Sequence, residues 1–390
     1  MNIGFVSIYD FGYPGGVNLH VANLADQFAR SGHRVRIIAP CSKKSDQFGA
    51  DKLIPLGWSI PLHTAGTTAR IVLSMRLANK VKPVLERENF DLIHYHEPLC
   101  PTLPTTILRH SRAVNVATFH AFHGNRRVIG VSSADRLYTL FNRYVRKNWL
   151  SRLHAKIAVS QAALEFVSKH FPGDYNIIPN GIDLERFNPS VKPLERYDDG
   201  YVNILFVGRM EKRKGLKYLL RAYSKLKWDY PKIRLLIVGP GGMDSDSART
   251  LGERNPKDVV IVGNVPHEEL PRYYRTADIY CSPATGKESF GIVLLEGMAS
   301  KAAVVASNII GYAGVMTDGV QGFLVPPKDD GALASALARL IEDEGQRQAM
   351  ANRGLAHVQE FSWDKVAARV MRVYQEAQTV HRGGASPASP

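Results

Sequence analysis

Two carboxylates, a run of cations and a pair of glycines stand out among the side chains and backbone able to do chemistry. Glu288 and Glu296 bracket the segment Glu288-Ser289-Phe290-Gly291-Ile292-Val293-Leu294-Leu295-Glu296, which follows the apolar run Ile279-Tyr280-Cys281-Ser282. The pattern predicts a loop opening into a helix, with Glu288 in the loop and Glu296 two turns in, about 12 Å further on at 1.5 Å per residue. That is the separation of hexose and ribose in a sugar nucleotide, and a helix N-terminus at Phe290, Gly291 and Ile292 would lie beside the diphosphate that joins them. The same spacing also fits a helix with one capping and one exposed glutamate.

Phe206-Val207-Gly208-Arg209-Met210-Glu211-Lys212-Arg213-Lys214-Gly215-Leu216 reads as a strand passing through a loop into a helix. Arg209 and Lys214 would sit at a strand's carboxyl end, where guanidinium and ammonium groups neutralise a diphosphate, although such a pair is otherwise often a solvated surface. Tyr13-Pro14-Gly15-Gly16-Val17 follows the first strand and opens the first helix, so its glycines present bare backbone either to an anion or simply to a tight turn. It has neither the G-x-G-x-x-G spacing of a dinucleotide fingerprint nor the G-K-[ST] ending of a P-loop.

Elements of an α/β protein must position these groups. Strands are expected at Ile3 to Ile8, Arg34 to Ala39, Asp91 to His96, Val114 to Phe119 and Lys156 to Ser160, then at Val202 to Val207, Arg234 to Val238, Val259 to Val262, Ile279 to Ser282, Ala303 to Ala306 and Gly322 to Val325. Val17, Val21, Leu24, Ala25 and Phe28 recur at helical spacing between the first two. The turn-rich stretch from Pro179 to Gly200 separates two sets of βα units, giving an N-terminal domain over 1–187 and a C-terminal domain over 200–362. Helices are expected near Ala332 to Glu342 and Trp363 to Thr379, with 380–390 as a disordered tail.

The 390 residues, 45% hydrophobic and 22% charged, are those of a folded chain of two or three domains, and no apolar run approaches the ~18 residues of a membrane span. The first residues read as a strand, not a signal peptide. Cys41, Cys100 and Cys281 are odd in number and never in C-x-x-C spacing, so a disulfide framework or zinc knuckle is not expected, and the compartment expected is a reducing cytosol. A net charge of +14 calls for an acidic neighbour: nucleic acid, anionic lipid or a phosphorylated substrate.

Gly15-Gly16 after the first strand, Gly208-Arg209 with Lys214-Gly215, and Glu288 with Glu296 resemble, in order and context, the retaining glycosyltransferases of family four, over nearly the whole chain. The resemblance implies the GT-B fold: two Rossmann-like parallel-sheet domains facing each other across a cleft, with the helix from Trp363 returning to the first. Pro14 to Val17, His94 to Pro98, Ala117 to His120, Ile178 to Asp183 and Glu288 to Glu296 are similar to segments of those members that move mannose from GDP-mannose to a phosphatidylinositol-type lipid.

By that resemblance Arg209, Arg213 and Lys214 hold the donor diphosphate, Gly16 approaches it, Glu288 holds the hexose, Glu296 the ribose, and Phe290, Gly291, Ile292 and Val293 line the donor. Backbone near Val265 reads the base. His120 touches the hexose, and catalysis rests on His120, Arg209, Lys214 and Glu288. Tyr9, Asn18, His63, Thr64 and Arg70 face the acceptor headgroup. Asn18 stands in place of a glutamine, His63-Thr64 in place of a Tyr-Asn pair and Leu270 in place of a lysine, which leaves acceptor and base open. No metal or other cofactor is implied, and no obligatory protein partner. The setting implied is peripheral, at the cytoplasmic face of an anionic membrane.

Other signals compete. Asp244-Ser245-Asp246 fits a metal-binding D-x-D triplet but reads better as a solvated loop. His94 and His96 share one strand face and suit metal ligation, yet with no further ligand nearby in sequence a packed, hydrogen-bonded pair is expected. Arg126, Arg127, Arg136, Arg143, Arg146, Lys147 and Arg152, interleaved with Tyr138, Phe141, Tyr144 and Trp149, suit either an amphipathic helix on an anionic bilayer or a helix with its aromatics in the core. Arg70, Arg76, Lys80 and Lys82 form a second such stretch. A UDP-sugar transferase acting on diacylglycerol or a soluble sugar, a non-hydrolysing sugar-nucleotide epimerase, and a binding module without activity remain alternatives. Nucleic acid is not expected, since no helix-turn-helix, RNP or zinc-finger pattern occurs.

Overall fold

Both halves build parallel sheets because their apolar runs are β-branched and buried on both faces, as strands flanked by helices must be. A computed structural model describes residues 1–13, 15–43, 52–64, 67–72, 77–98, 103–120 and 148–383. They form two units, Met1–Gly181 with the chain from Trp363 onward, and Ile182–Ser362.

In the first unit β1 (Asn2–Ser7), β2 (Arg34–Ala39), β3 (Leu53–Pro55), β6 (Leu92–His96), β7 (Val114–Phe119), β8 (Ala155–Ala158) and β9 (Asn176–Ile177) lie in the order β3-β2-β1-β6-β7-β8-β9, all parallel. A separate antiparallel hairpin joins β4 (Ser59–Thr64) to β5 (Thr67–Val72). Strand order reverses between β1 and β6, and beyond the carboxyl ends at such a point an open α/β sheet takes its ligand. Helices α1 (Gly16–Arg30), α2 (Ala78–Glu88), α3 (Leu103–His110) and α4 (Gln161–His170) serve this sheet. Ser160 caps α4, accepting from the Ala163 N–H. Helix α12 (Trp363–Arg382) belongs here too: Val366, Val370, Val373 and Tyr374 are buried with Phe5, Val21, Leu24 and Phe28.

In the second unit β10 (Val202–Val207), β11 (Ile233–Val238), β12 (Val259–Gly263), β13 (Ile279–Ser282), β14 (Ala303–Ser307) and β15 (Gly322–Val325) lie in the order β12-β11-β10-β13-β14-β15, again all parallel, reversing between β10 and β13. Its helices are α5 (Leu216–Asp229), α6 (Ser245–Arg254), α7 (Leu270–Thr276), α8 (Ile292–Ala299), α9 (Ile310–Ala313), α10 (Asp330–Glu342) and α11 (Glu344–Val358).

Three sequence expectations need adjustment. Residues 182–199 are not a bare linker: Ile182, Phe187 and Leu194 are buried in the second unit's core, so that unit starts at Ile182. Helix α12 runs to Arg382, past the expected start of the tail at 380. Asp244-Ser245-Asp246 is a helix start, with Asp244 capping α6 through Ser247 while Lys212 and Lys217, each 3.0 Å away, hold the Asp246 carboxyl down at about 2. Pro14, Arg76, Cys100, the basic aromatic stretch up to Lys147 and residues 384–390 lie outside the described residues. Among those described, no helix is long and apolar enough to cross a membrane.

Candidate functional site

The second unit gathers its charged groups at the switch point. After β10 the chain turns through a 3-10 helix at Lys212–Lys214 into α5, with Gly215 left-handed at φ 73°. A Cβ on Gly215 would stand 1.9 Å from the Pro283 carbonyl oxygen, so only glycine lets this loop lie against the one after β13. The second loop carries Glu288. Arg213 Nη1 lies 2.6 Å and Lys214 Nζ 2.7 Å from Glu288 Oε1, all three side chains half-buried or deeper. Glu211 braces the cations from the other end, 2.8 Å from Arg213 Nε and 3.3 Å from Arg209 Nη1. Arg209 is the most exposed cation of the three.

Gly311 supports the Glu288 loop from below, since a Cβ there would meet the Glu288 carbonyl at 2.1 Å. Helix α8 opens only at Ile292, because Gly291 is left-handed at φ 92° and its missing Cβ makes room for Tyr312. Glu296 is therefore little more than one turn into the helix, not the two turns expected, and helical rise alone does not set its distance from Glu288. Phe290 is core, 4% exposed, leaving its backbone as the part able to meet a ligand, whereas Ile292 and Val293 are half-buried. Glu296 accepts from the Tyr274 hydroxyl at 2.7 Å. Burial pushes its carboxyl up to about 7, against the pull of Tyr274, Arg186 and Lys214. Arg186 is anchored by His267, its Nη1 2.7 Å from His267 Nε2, and lies over the Phe187 ring; His267 is two residues beyond Val265. Arg186, His267 and Tyr274 carry no motif, and spacing could not have found them.

In the first unit the glycines after β1 are not demanded by the fold. Gly15 is extended, and a Cβ on Gly15 or Gly16 would meet nothing within 4 Å among the described residues. Helix α1 begins at Gly16 with no side-chain cap, which leaves its first N–H groups open. Asn18 is 2% exposed, its amide donates to the Asp10 and Tyr13 carbonyls and its oxygen accepts from Ser7, so it shapes the loop from inside. Tyr9 is half-buried beside it, and Arg70 lies over the Tyr13 ring. His63 and Thr64 end β4, facing Thr68 and Thr67 in the hairpin register.

His120 follows β7, with its N–H bonded to Glu97 and its Nε2 2.9 Å from His96 Nδ1. The structure supplies the neighbour that sequence spacing lacked. His20 from α1 reaches the same place, and ring nitrogens of His20, His96 and His120 lie within 4.8 Å of one another, the one group of three among the described residues with the makings of a metal site. His94 instead is packed as expected, bonded to Tyr374 at 2.7 Å and Thr118 at 2.6 Å. Burial holds all four imidazoles neutral, His20 down to about 4 and the other three well below their ordinary value.

Comparison with known proteins agrees with this layout. Residues 192–357 match glycosyl transferases group 1, and residues 14–186 match glycosyltransferase family 4. A phosphatidyl-myo-inositol mannosyltransferase of Mycobacterium tuberculosis is 35% identical over 96% of this chain and 97% of its own length. One from Propionibacterium freudenreichii is 33% identical over 97% and 95%. Among solved structures, Anabaena HepE in complex with UDP and glucose superposes with a TM-score of 0.74 at 18% identity, covering 96% of this chain and 99% of that one. The architecture is thus that of the GT-B glycosyltransferases.

Proposed function

Because this chain belongs to the family 4 glycosyltransferases and is a hexosyltransferase, we propose that it moves mannose from GDP-mannose to a phosphatidylinositol-type lipid, with retention and without a metal. The observation that most supports this reading is the Arg213–Glu288–Lys214 cluster beside Arg209, where two carboxylates, Glu288 and Glu211, and three cations meet at a topological switch point.

Each unit has its own task in this proposal. In the second, Arg209, Arg213 and Lys214 take the diphosphate, Glu288 the hexose hydroxyls, Glu296 the ribose and the backbone at Val265 the base. The bond from the anomeric carbon to the phosphate oxygen breaks, the acceptor hydroxyl adds on the same face, and its proton passes to the departing phosphate oxygen. Charge developing on that phosphate is what the cations stabilise, the usual dominant contribution in such transfers. In the first, Tyr9, Arg70 and the His63-Thr64 end of β4 serve the acceptor, with Gly16 and His120 near the reacting end. The protein works peripherally, at the cytoplasmic face of a membrane.

The test offers radiolabelled GDP-mannose, UDP-glucose and UDP-galactose with phosphatidylinositol or diacylglycerol liposomes, in EDTA. Labelled phosphoinositide from GDP-mannose alone is the expected result. Product from a UDP-sugar overturns the named substrates, loss of activity in EDTA overturns the metal-free step, and an epimerised sugar nucleotide with no acceptor product overturns transfer altogether.

A further inference from the structure

The carboxyl ends of β6 and β7 are joined by a hydrogen bond between two imidazoles. His96, the last residue of β6, stands opposite Thr118 in the register with β7, and its Nδ1 lies 2.9 Å from Nε2 of His120, two residues beyond Thr118. Glu97 fixes the backbone between them. Held left-handed at φ 57°, a strained conformation for a residue with a Cβ, it donates its N–H to the Thr118 carbonyl at 3.0 Å and accepts the His120 N–H at its carboxylate. The rings are boxed in as well: His96 has the His94 ring 4.3 Å and the Phe5 ring 5.8 Å away, centre to centre, and His20 from α1 meets His120 edge-on at 4.7 Å.

The bond has a direction. Burial holds both imidazoles neutral, so each ring carries one N–H and one lone pair, and one of the two must donate to the other. His96 is wholly buried, and its Nε2 has no hydrogen-bond partner among the described residues. A proton on that nitrogen would be a buried N–H with nothing to bond, which folded proteins avoid more strictly than a bare acceptor. The His96 proton therefore sits on Nδ1 and is donated to His120 Nε2, which leaves the His120 proton on its own Nδ1. The His120 ring makes no other hydrogen bond among the described residues, so this Nδ1–H is the group it has left for a ligand. A metal shared by the two rings fits the spacing less well, since two nitrogens on one tetrahedral zinc stand about 3.3 Å apart.

We propose that His96 is a positioning residue for His120, fixing the plane and tautomer of its ring so that His120 offers the hexose an Nδ1–H donor and never a basic nitrogen. The inference rests on the transfer proposed above, in which His120 stands near the reacting end, and deepens it. With Nε2 taken up by His96 and Nδ1 protonated, His120 has no lone pair to receive the acceptor's proton, so that proton is left to the departing phosphate oxygen. A donor already held in place also gives up less freedom on binding than one that must turn to meet the sugar.

The test compares the full-length protein with His96→Asn and His96→Phe, in EDTA so that no metal sits among the rings. Nitrogen-15 NMR of histidine-labelled protein distinguishes Nδ1–H from Nε2–H, and the His120 signals are those that vanish in His120→Asn. The wild type is expected to show His120 protonated at Nδ1. An asparagine amide can stand where Nδ1 of His96 stood, so His96→Asn should keep that tautomer and most of the transfer rate. His96→Phe keeps the bulk without the donor; it should let Nε2–H appear on His120 and lower kcat by about tenfold, the scale of one hydrogen bond, with KM for GDP-mannose little changed. His120 protonated at Nε2 in the wild type overturns the assignment, a reading that stands even where His96→Phe fails to fold. Transfer by folded His96→Phe at the wild-type rate, or an equal loss in His96→Asn and His96→Phe, overturns the positioning role. Absence of mannosyl transfer in the wild type would overturn the proposed activity instead, and the tautomer is read without turnover.

Discussion

In the proposed transfer Glu288 has two jobs that pull against each other. Unliganded, it neutralises Arg213 and Lys214 at 2.6 and 2.7 Å, the same cations that a donor diphosphate needs. Replacing it with glutamine frees both charges while removing an acceptor for the hexose. Glu288→Gln is therefore expected to bind GDP several-fold more tightly and yet to lose roughly 100- to 1,000-fold in transfer, the scale of deleting one transition-state contact. Calorimetry with GDP and a transfer assay read the two effects; weaker GDP binding with transfer intact would contradict the assignment. The buried histidines make a second expectation at this scale. His20 titrates near 4 when folded, and His94, His96 and His120 well below their ordinary value, whereas unfolded imidazoles titrate near 6.5. Below pH 6.5 the unfolded chain takes up protons that the folded one refuses, so stability is intact above that pH and falls as pH drops from 6.5 toward 4. The slope is about 1.4 kcal/mol per pH unit for each histidine. Protection of the β6 and β7 amides against hydrogen exchange should fall between pH 7 and 5.5 once intrinsic rates are corrected, and equal protection at both would refute it.

At the scale of elements, what sequence reveals depends on whether a segment's burial is written in consecutive residues. Strands such as Val202–Val207 and Val114–Phe119 are mostly apolar, interrupted only by Asn203 and by Asn115 and Thr118, and are legible to the residue. The three residues of Leu53–Pro55 and the two of Asn176–Ile177 carry too little pattern, and Ser59–Thr64 pairs in a hairpin away from the sheet. Helix α11 is mostly polar, burying only Met350, Ala351, Gly354 and Val358, so its periodicity is faint. The site divides the same way. Glu288, Arg213 and Lys214 sit in loops flanked by readable strands and helices, whereas His20, Arg186 and Tyr274 reach their places from distant elements that no local pattern connects. Glycines show the difference sharply. Gly215 permits one loop to touch another, so Gly215→Ala should destabilise the second unit by about 2–4 kcal/mol and weaken GDP binding. Gly252, inside α6 with nothing within 4 Å of its would-be Cβ, is the control: alanine there should be neutral or stabilise by up to about 1 kcal/mol. Similar falls in unfolding midpoint for both variants would show that loop contact is not what Gly215 is for.

For the whole molecule, the decisive feature is that the chain leaves the first unit at Gly181 and re-enters it at Trp363. The second unit is thereby an insertion whose two ends meet: the Ile182 N–H donates to the Phe361 carbonyl at 2.8 Å, and Ile182 bridges Ser362. Its two apolar clusters contain residues of 182–362 alone. Excised, it should fold by itself and bind GDP. The first unit cannot be cut so simply. Without α12 it loses Val366, Val370, Val373, Tyr374 and Ala377 from its core, and the Tyr374 hydroxyl that satisfies His94. Burial of those side chains amounts to on the order of 10 kcal/mol, as much as the entire net stability of a typical domain. Residues 1–181 alone should therefore lack a cooperative thermal transition, and joining 363–383 to Gly181 through a flexible linker should restore it. A cooperative transition in 1–181 by itself would mean that α12 only decorates a finished core. A restored transition would mean that the first unit exists only once the ribosome has passed the second, which fixes the order in which the two halves of this enzyme can fold.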